Sequence, residues 1–202
     1  DRNIDFLKSQ VDKIIGVLCD TQLTMQSIYP QLSLGGQINR EVFYITAQEL
    51  EDVYPNLSPK EREHEIAKKY GTVFLMEIGG ALRSGKPHDG RAPDYDDWGL
   101  NGDILIWYGP LKCAVEISSM GIRVNAESMD KQLKIAGCDD RRNLLYHKML
   151  LNNELPLTIG GGIGQSRISM LLLNKVHVGE VQVSVWDEQT IEVCEKAGIM
   201  LL

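Results

Sequence analysis

The sequence predicts an α+β fold in which an antiparallel sheet is flanked by helices, and three observations carry that expectation. Ile4, Leu7, Val11, Ile14 and Leu18 recur at three- and four-residue steps, the mark of an amphipathic helix. Gly102–Tyr108 and Cys113–Val124 have strand composition and are joined through Gly109-Pro110, a hairpin-like antiparallel pair. Leu157 to Leu173 reads as a short strand, a glycine turn and an apolar helix with Arg167 in its first turn.

The chain of 202 residues suits one domain with a sizeable core. Its net charge of −7 argues against a nucleic-acid surface. Cys19, Cys113, Cys138 and Cys194 are scattered, with no C-x-x-C, which fits free thiols in a reducing compartment. The four histidines form no Cys/His cluster, so zinc is not expected. No run is long and apolar enough for a membrane span, and no signal-peptide layout is present. A soluble cytoplasmic protein is expected.

In chain order, Asp1, Arg2, Asp5, Lys8 and Asp12 fall on the polar face of the first helix. Pro30 to Arg40 is a loop broken by Gly35-Gly36. Val42–Thr46 has strand composition, and Ala47–Tyr54 reads as a short helix. Ser58-Pro59-Lys60-Glu61 combines a capping serine, a proline at the first helical position and the glutamate of a capping box. That helix runs through Ala67 and stops at Gly71, ahead of an apolar strand at Thr72–Ile78. Ser128–Ala136 and Asp139–Asn152 are further helices, Val176–Val185 alternates as a last strand, and 187–202 form a tail. His177 is isolated and expected to be structural.

Two segments carry candidate chemistry beside the glycine turn. Gly79–Trp98 is a long loop in which Asp94, Asp96 and Asp97 interleave with Arg91, Tyr95 and Trp98. Loops of this length inside a compact chain are usually functional or disordered; this one reads as an ordered functional loop or as a solvated acidic turn. On the strand ending at Val124, Glu116 and Ser118 share one face, while Ser119, Gly121 and Arg123 have the opposite parity. A bulge near Ser118–Gly121, which Gly121 permits, is needed to bring Glu116 and Arg123 together. Glu116 either meets a cation or faces solvent.

Gly160, Gly161, Gly162 and Gly164 remove Cβ atoms where a flat ligand needs close approach to backbone, and the next helix offers free N–H groups to an anion. The alternative is a turn that lets a helix pack tightly on a sheet. A dinucleotide fingerprint starting at Gly160 would need glycine where Gln165 stands, and no Lys-Ser/Thr follows Gly164 as in a P-loop. No G-x-S-x-G element is present.

The run G-G-G-I-G-Q-S-R-I-S-M-L-L-L resembles motif 3 of the class II aminoacyl-tRNA synthetase superfamily. R-A-P-D-Y-D-D-W (Arg91–Trp98), L-N-G-D-I-L-I-W (Leu100–Trp107) and E-I-S-S-M-G-I-R-V (Glu116–Val124) are similar to one branch of it, the ammonia-dependent asparagine synthetases, or aspartate–ammonia ligases. The resemblance runs along the whole chain and is densest from Gly71 to Val183. It implies a class II catalytic-core fold and a single domain, residues 1–202, that is the C-terminal portion of such a catalytic domain, without the upstream region of motifs 1 and 2. It also implies a homodimer.

The same resemblance implies the activity: L-asparagine made from L-aspartate and ammonia with ATP, through a β-aspartyl-adenylate, with Mg2+ as the metal. By the resemblance Arg167, with Gly162 and Gly164, forms the ATP platform; Glu116 and Ser119 hold magnesium, with Asp103 beside them; Arg91 meets phosphate. Arg123 and Ser118 bind aspartate, and Asp96 takes its ammonium group. Arg123, Arg167 and Asp96 are then the catalytic set. By the resemblance, relatives carry extra residues between Trp98 and Gly99, a place that suits an active-site cover in the family, whereas this chain runs straight on, the loop being either lost or missing from this sequence. Two other functions fit the same pattern: an asparaginyl- or aspartyl-tRNA synthetase-like catalytic domain, and a non-catalytic paralogue that binds nucleotide or amino acid.

Overall fold

The structure is a computed structural model, and it describes residues 2–30 and 37–202. Five strands form one sheet in the order β1-β2-β3-β4-β5: Phe43–Thr46, Thr72–Met76, Asp96–Tyr108, Cys113–Arg123 and Ile159–Ile163. β1 pairs in parallel with β2, and every other neighbour is antiparallel. The α+β expectation holds.

Helix α1, Ile4–Ile28, begins where the Asn3 side chain accepts from the Phe6 N–H. It buries Leu7, Val11, Ile15 and Leu18. With Met170–Leu172 of α6 (Gln165–Leu172) they cover one sheet face, against Phe74, Ile104, Ile106, Met120 and Ile122. Arg2 precedes this helix instead of lying in it. Its guanidinium donates to the Arg123 carbonyl at 2.6 Å and Ser128 Oγ at 3.0 Å, and pairs with Asp97.

The other face carries two separate apolar clusters. Helices α2 (Ala47–Val53) and α3 (Pro59–Tyr70) pack Leu50, Ile66 and Ala67 on Val73, Leu75 and Leu105. Both helices start in capping boxes, Thr46 with Glu49 and Ser58 with Glu61. Gly71 ends α3 at φ 82°, as its position predicts. Further along, α4 (Ala126–Ile135) and α5 (Leu145–Leu151) enclose Val124, Met129, Leu133 and Leu150. The strip of sheet between these clusters carries the polar residues singled out above.

Three expectations are corrected. The helix read over Asp139–Asn152 is broken: a 3-10 turn at Asp139–Asn143 ends at Leu144, whose extended backbone (ψ 152°) starts α5 afresh. Val176–Val185 is not a strand. Glu180 accepts from the Val176 and His177 N–H groups and pairs with Lys175, so local bonds take the donors a ladder would need. Val183 and Val185 are left exposed. The tail contains a helix, α7 (Glu188–Lys196), capped by Asp187. At Trp98–Gly99 β3 runs through, and residues between Asp96 and Asn101 loop out of register against Gly121–Arg123. The Gly35-Gly36 breaker lies outside the described residues.

Candidate active site

The face of β4 is set by one bulge. Leu105 pairs with Glu116 and Ile104 with Ser118, so Ile117 is the extra residue. Beyond it Asp103 pairs with Ser119 and Asn101 with Gly121. Direct cross-strand partners share a face, so Glu116, Ser119, Gly121 and Arg123 line up beside Asp103. The bulge falls just upstream of the Ser118–Gly121 window expected from sequence. Its position also decides Ser118, which pairs with Ile104 on the α1 side and is 3% exposed. The bulge therefore turns Ser118 away from the face on which it was expected to meet substrate.

The acidic loop is ordered and pinned along its length. Arg91 pairs with Asp103, and Arg123 pairs with Asp96, which is 2% exposed. Burial pushes the Asp96 carboxyl up, against the opposing pull of the Arg123 and Arg91 guanidinium groups. Burial likewise pushes Asp103 up, with Arg91 opposing and the Glu116 charge adding to it. Gln132 Nε2 donates to the carbonyls of Pro93 and Asp96, and Asp94 takes Arg141 and His147 Nε2 at 2.9 Å each.

Arg123 is held by more than its carboxylate partner. Tyr95 lies under its guanidinium at 3.8 Å, and Nη2 donates to the Tyr95 hydroxyl at 2.8 Å. Two glycines make room for the pair. A Cβ on Gly121 would sit 2.8 Å from Asp96 Cγ, and one on Gly160 would sit 2.6 Å from Arg123 Nη2. Sequence reasoning missed Tyr95 and these two clearances; the tyrosine between two acids in the loop was the available signal.

β5 contributes a bare surface. Gly162 pairs with Ser119 and Gly160 with Gly121, so both glycines fall on the site face, while Ile159 and Gly161 fall on the other. A Cβ on Gly162 would meet nothing within 4 Å. Gly164 caps α6, and Arg167 folds back over it to donate to the Glu116 carbonyl at 2.9 Å, its Nη1 3.7 Å from the Glu116 carboxylate. Arg167 and Arg123 thus bracket opposite ends of one face, separated along β4 by roughly 20 Å. A cavity of about 390 Å³ adjoins Arg123, lined also by Asp94, Tyr95, Val124 and Tyr146. The larger cleft of about 650 Å³, between Trp98 and α4, touches none of the expected site residues; its charged lining is Arg2, Asp97, Glu127 and Lys131.

A family model described as aspartate-ammonia ligase matches residues 1–198. The chain belongs to the aspartate–ammonia ligase family. An aspartate–ammonia ligase of Fusobacterium nucleatum is 56% identical over 202 residues, all of this chain and 61% of that protein. One from Levilactobacillus brevis is 57% identical over 202 residues, again all of this chain and 60% of the relative. The chain therefore spans about 60% of the length of the curated relatives it matches.

Among solved structures, the aspartyl-tRNA synthetase of Entamoeba histolytica aligns with TM-score 0.65 at 18% identity, over 94% of this chain and 41% of that one. The asparaginyl-tRNA synthetase of the same organism, in complex with asparaginyl-adenylate, aligns with TM-score 0.60 at 14% identity, over 87% and 43%. At these identities the likeness establishes the class II fold. No described helix is long and apolar enough to cross a membrane.

Proposed function

We propose that this chain carries the nucleotide- and amino-acid-binding face of an AMP-forming ligase that makes L-asparagine from L-aspartate and ammonia. The observation that supports it most is the Ile117 bulge, which puts Glu116, Ser119 and Arg123 on the face shared by Asp103 and the bare glycines. A carboxylate is a poor acyl donor. An oxygen of the aspartate β-carboxylate attacks the α-phosphorus of ATP, diphosphate leaves, and ammonia then attacks the acyl carbon and expels AMP, losing a proton.

The residues divide this work by charge. Arg167 and the Gly162–Gly164 backbone take the adenylate, and Arg91 takes phosphate. The Arg91 Nε–H is buried without a protein acceptor, which supports a ligand oxygen there. Arg123 and Asp96 form an ion pair into which an amino acid can insert, its carboxylate toward the guanidinium and its ammonium toward the carboxylate. Catalysis by such a site is positioning and charge neutralisation, with no covalent enzyme intermediate.

Glu116, Asp103 and Ser119 offer oxygen donors only, the set magnesium prefers together with substrate phosphates. Among the described residues no group of three or more His, Cys, Asp or Glu side chains is placed to hold a metal ion, so magnesium held here would need oxygen donors from the substrate as well. Bound there by Glu116 and Ser119 with Asp103 adjoining, magnesium would neutralise triphosphate charge. The reading carries with it a single domain that is the C-terminal portion of the catalytic domain, a homodimer, a cytoplasmic setting, and no nucleic-acid partner, the last in line with the net charge of −7.

The test is AMP formation from ATP by the complete protein. The account expects AMP only when aspartate and ammonium are both present. AMP formation independent of either refutes it, aminoacylation of a tRNA selects a synthetase, and adenylate binding without turnover selects a non-catalytic paralogue.

A further inference from the structure

We propose that His88 and Glu63 are positioning residues, a latch that sets where the loop delivers Arg91 onto Asp103; the assignment rests on Arg91 serving ATP, as proposed above. The observation behind it is a buried imidazole–carboxylate pair with no role in the sheet. Glu63 of α3 is 5% exposed, and the His88 side chain is 0% exposed. His88 Nε2 lies 3.0 Å from Glu63 Oε1. A carboxylate only accepts, so Nε2 carries the proton; Nδ1 is buried without a partner. Lys60 Nζ donates to both oxygens of the same carboxylate, at 3.1 Å to Oε1 and 2.9 Å to Oε2.

Burying a carboxylate is costly unless its hydrogen bonds are satisfied, so Glu63 favours the arrangement in which the loop supplies His88. A second carboxylate works on the same loop. Glu51 of α2, paired with Arg62, accepts from Ser84 Oγ at 2.8 Å. The two clamps bind the loop to α2 and α3 before it crosses to the sheet. From His88 only Asp89 and Gly90 intervene before Arg91, a reach of about 10 Å. Gly90 has open space around its Cβ position and donates its N–H to Asp89 Oδ1 at 2.7 Å, so no side chain packs on the turn between His88 and Arg91 there.

The tautomer gives a discriminating pair of variants. The amide nitrogen of glutamine reaches the position of His Nε2, whereas that of asparagine reaches only the position of Nδ1. In the complete protein, His88→Gln is expected to keep the KM for ATP within about twofold. His88→Asn is expected to raise it about tenfold, the effect of one weakened charged hydrogen bond, with the KM for aspartate unchanged. Amide hydrogen exchange at Gly90 and Arg91 is expected to be faster in His88→Asn than in His88→Gln. Equal exchange and equal KM values in the two variants overturn the latch. So does a rise in both KM values together, which marks general loosening. Should the unaltered protein form no AMP, the functional reading fails, and the exchange comparison alone decides the latch.

Discussion

Replacing Gly160 with alanine puts a methyl group 2.6 Å from Arg123 Nη2, 3.1 Å from Cζ and 3.2 Å from Nε. Ordinary contacts begin near 3.5 Å, so the guanidinium must move by about 1 Å. It cannot do so and keep both Asp96 and the Tyr95 hydroxyl. Overpacking of this kind costs about 1–3 kcal/mol, and full loss of a buried partner about 3–5 kcal/mol. A shift is less than a deletion, so Gly160→Ala is expected to destabilise by about 2 kcal/mol and to weaken aspartate binding by about tenfold or more. Gly162→Ala is the control, because its methyl group meets nothing within 4 Å. It is expected to change stability by less than about 0.5 kcal/mol. It should nonetheless weaken ATP binding, since the methyl occupies the proposed adenylate surface. Urea denaturation and calorimetric titration of the complete protein measure both effects. Equal stability of the two variants, or unchanged ATP binding in Gly162→Ala, refutes the reasoning.

Three further outcomes follow from the same geometry. Ser118→Ala is expected to be neutral or slightly stabilising and to leave ligand binding intact, because its hydroxyl is buried without a partner on the α1 side; weakened aspartate binding in titration contradicts this. Arg62→Leu removes the cation beside Glu51 and the donors to the Tyr54 and Pro55 carbonyls, while Ser84 and Gln48 still donate to Glu51; it is expected to destabilise the protein, with unchanged stability in urea contradicting it. Burial alone would raise Asp94, but hydrogen bonds from His147 and Arg141 outweigh it and hold the carboxyl below its usual range. A lowered folded value adds stability above the unfolded value of about 4 and loses it as pH falls through the folded value. The stability difference between the unaltered protein and Asp94→Asn, followed by thermal melts, should be full at neutral pH and shrink below about pH 4; a gap independent of pH contradicts the assignment.

Much of the fold is legible because its signals are local. The capping box at Ser58 and the left-handed stop at Gly71 act within one helical turn, and both bounds of α3 fall close to where they predict. The parity conflict along β4 was equally visible, and it demands a bulge. Its location at Ile117 was not, because it depends on which side chain the α1 core accepts, a tertiary choice that draws Ile117 inward and Ser118 with it. Val176–Val185 misled for a related reason: alternation signals a strand only when backbone donors are free, and Glu180 takes two of them. The roles of Gly121 and Gly160 were hidden because a clearance exists only once Asp96 and Arg123 have met across strands.

The central claim is that one face binds an adenylate and a dicarboxylic amino acid end to end. The most direct measurement is a crystal structure of the complete protein soaked with AMP and asparagine. The account predicts AMP against Gly162 and Arg167, with the amino-acid carboxylate on Arg123. Ligand seated instead in the cleft between Trp98 and α4, with Arg123 still closed on Asp96 alone, would contradict it.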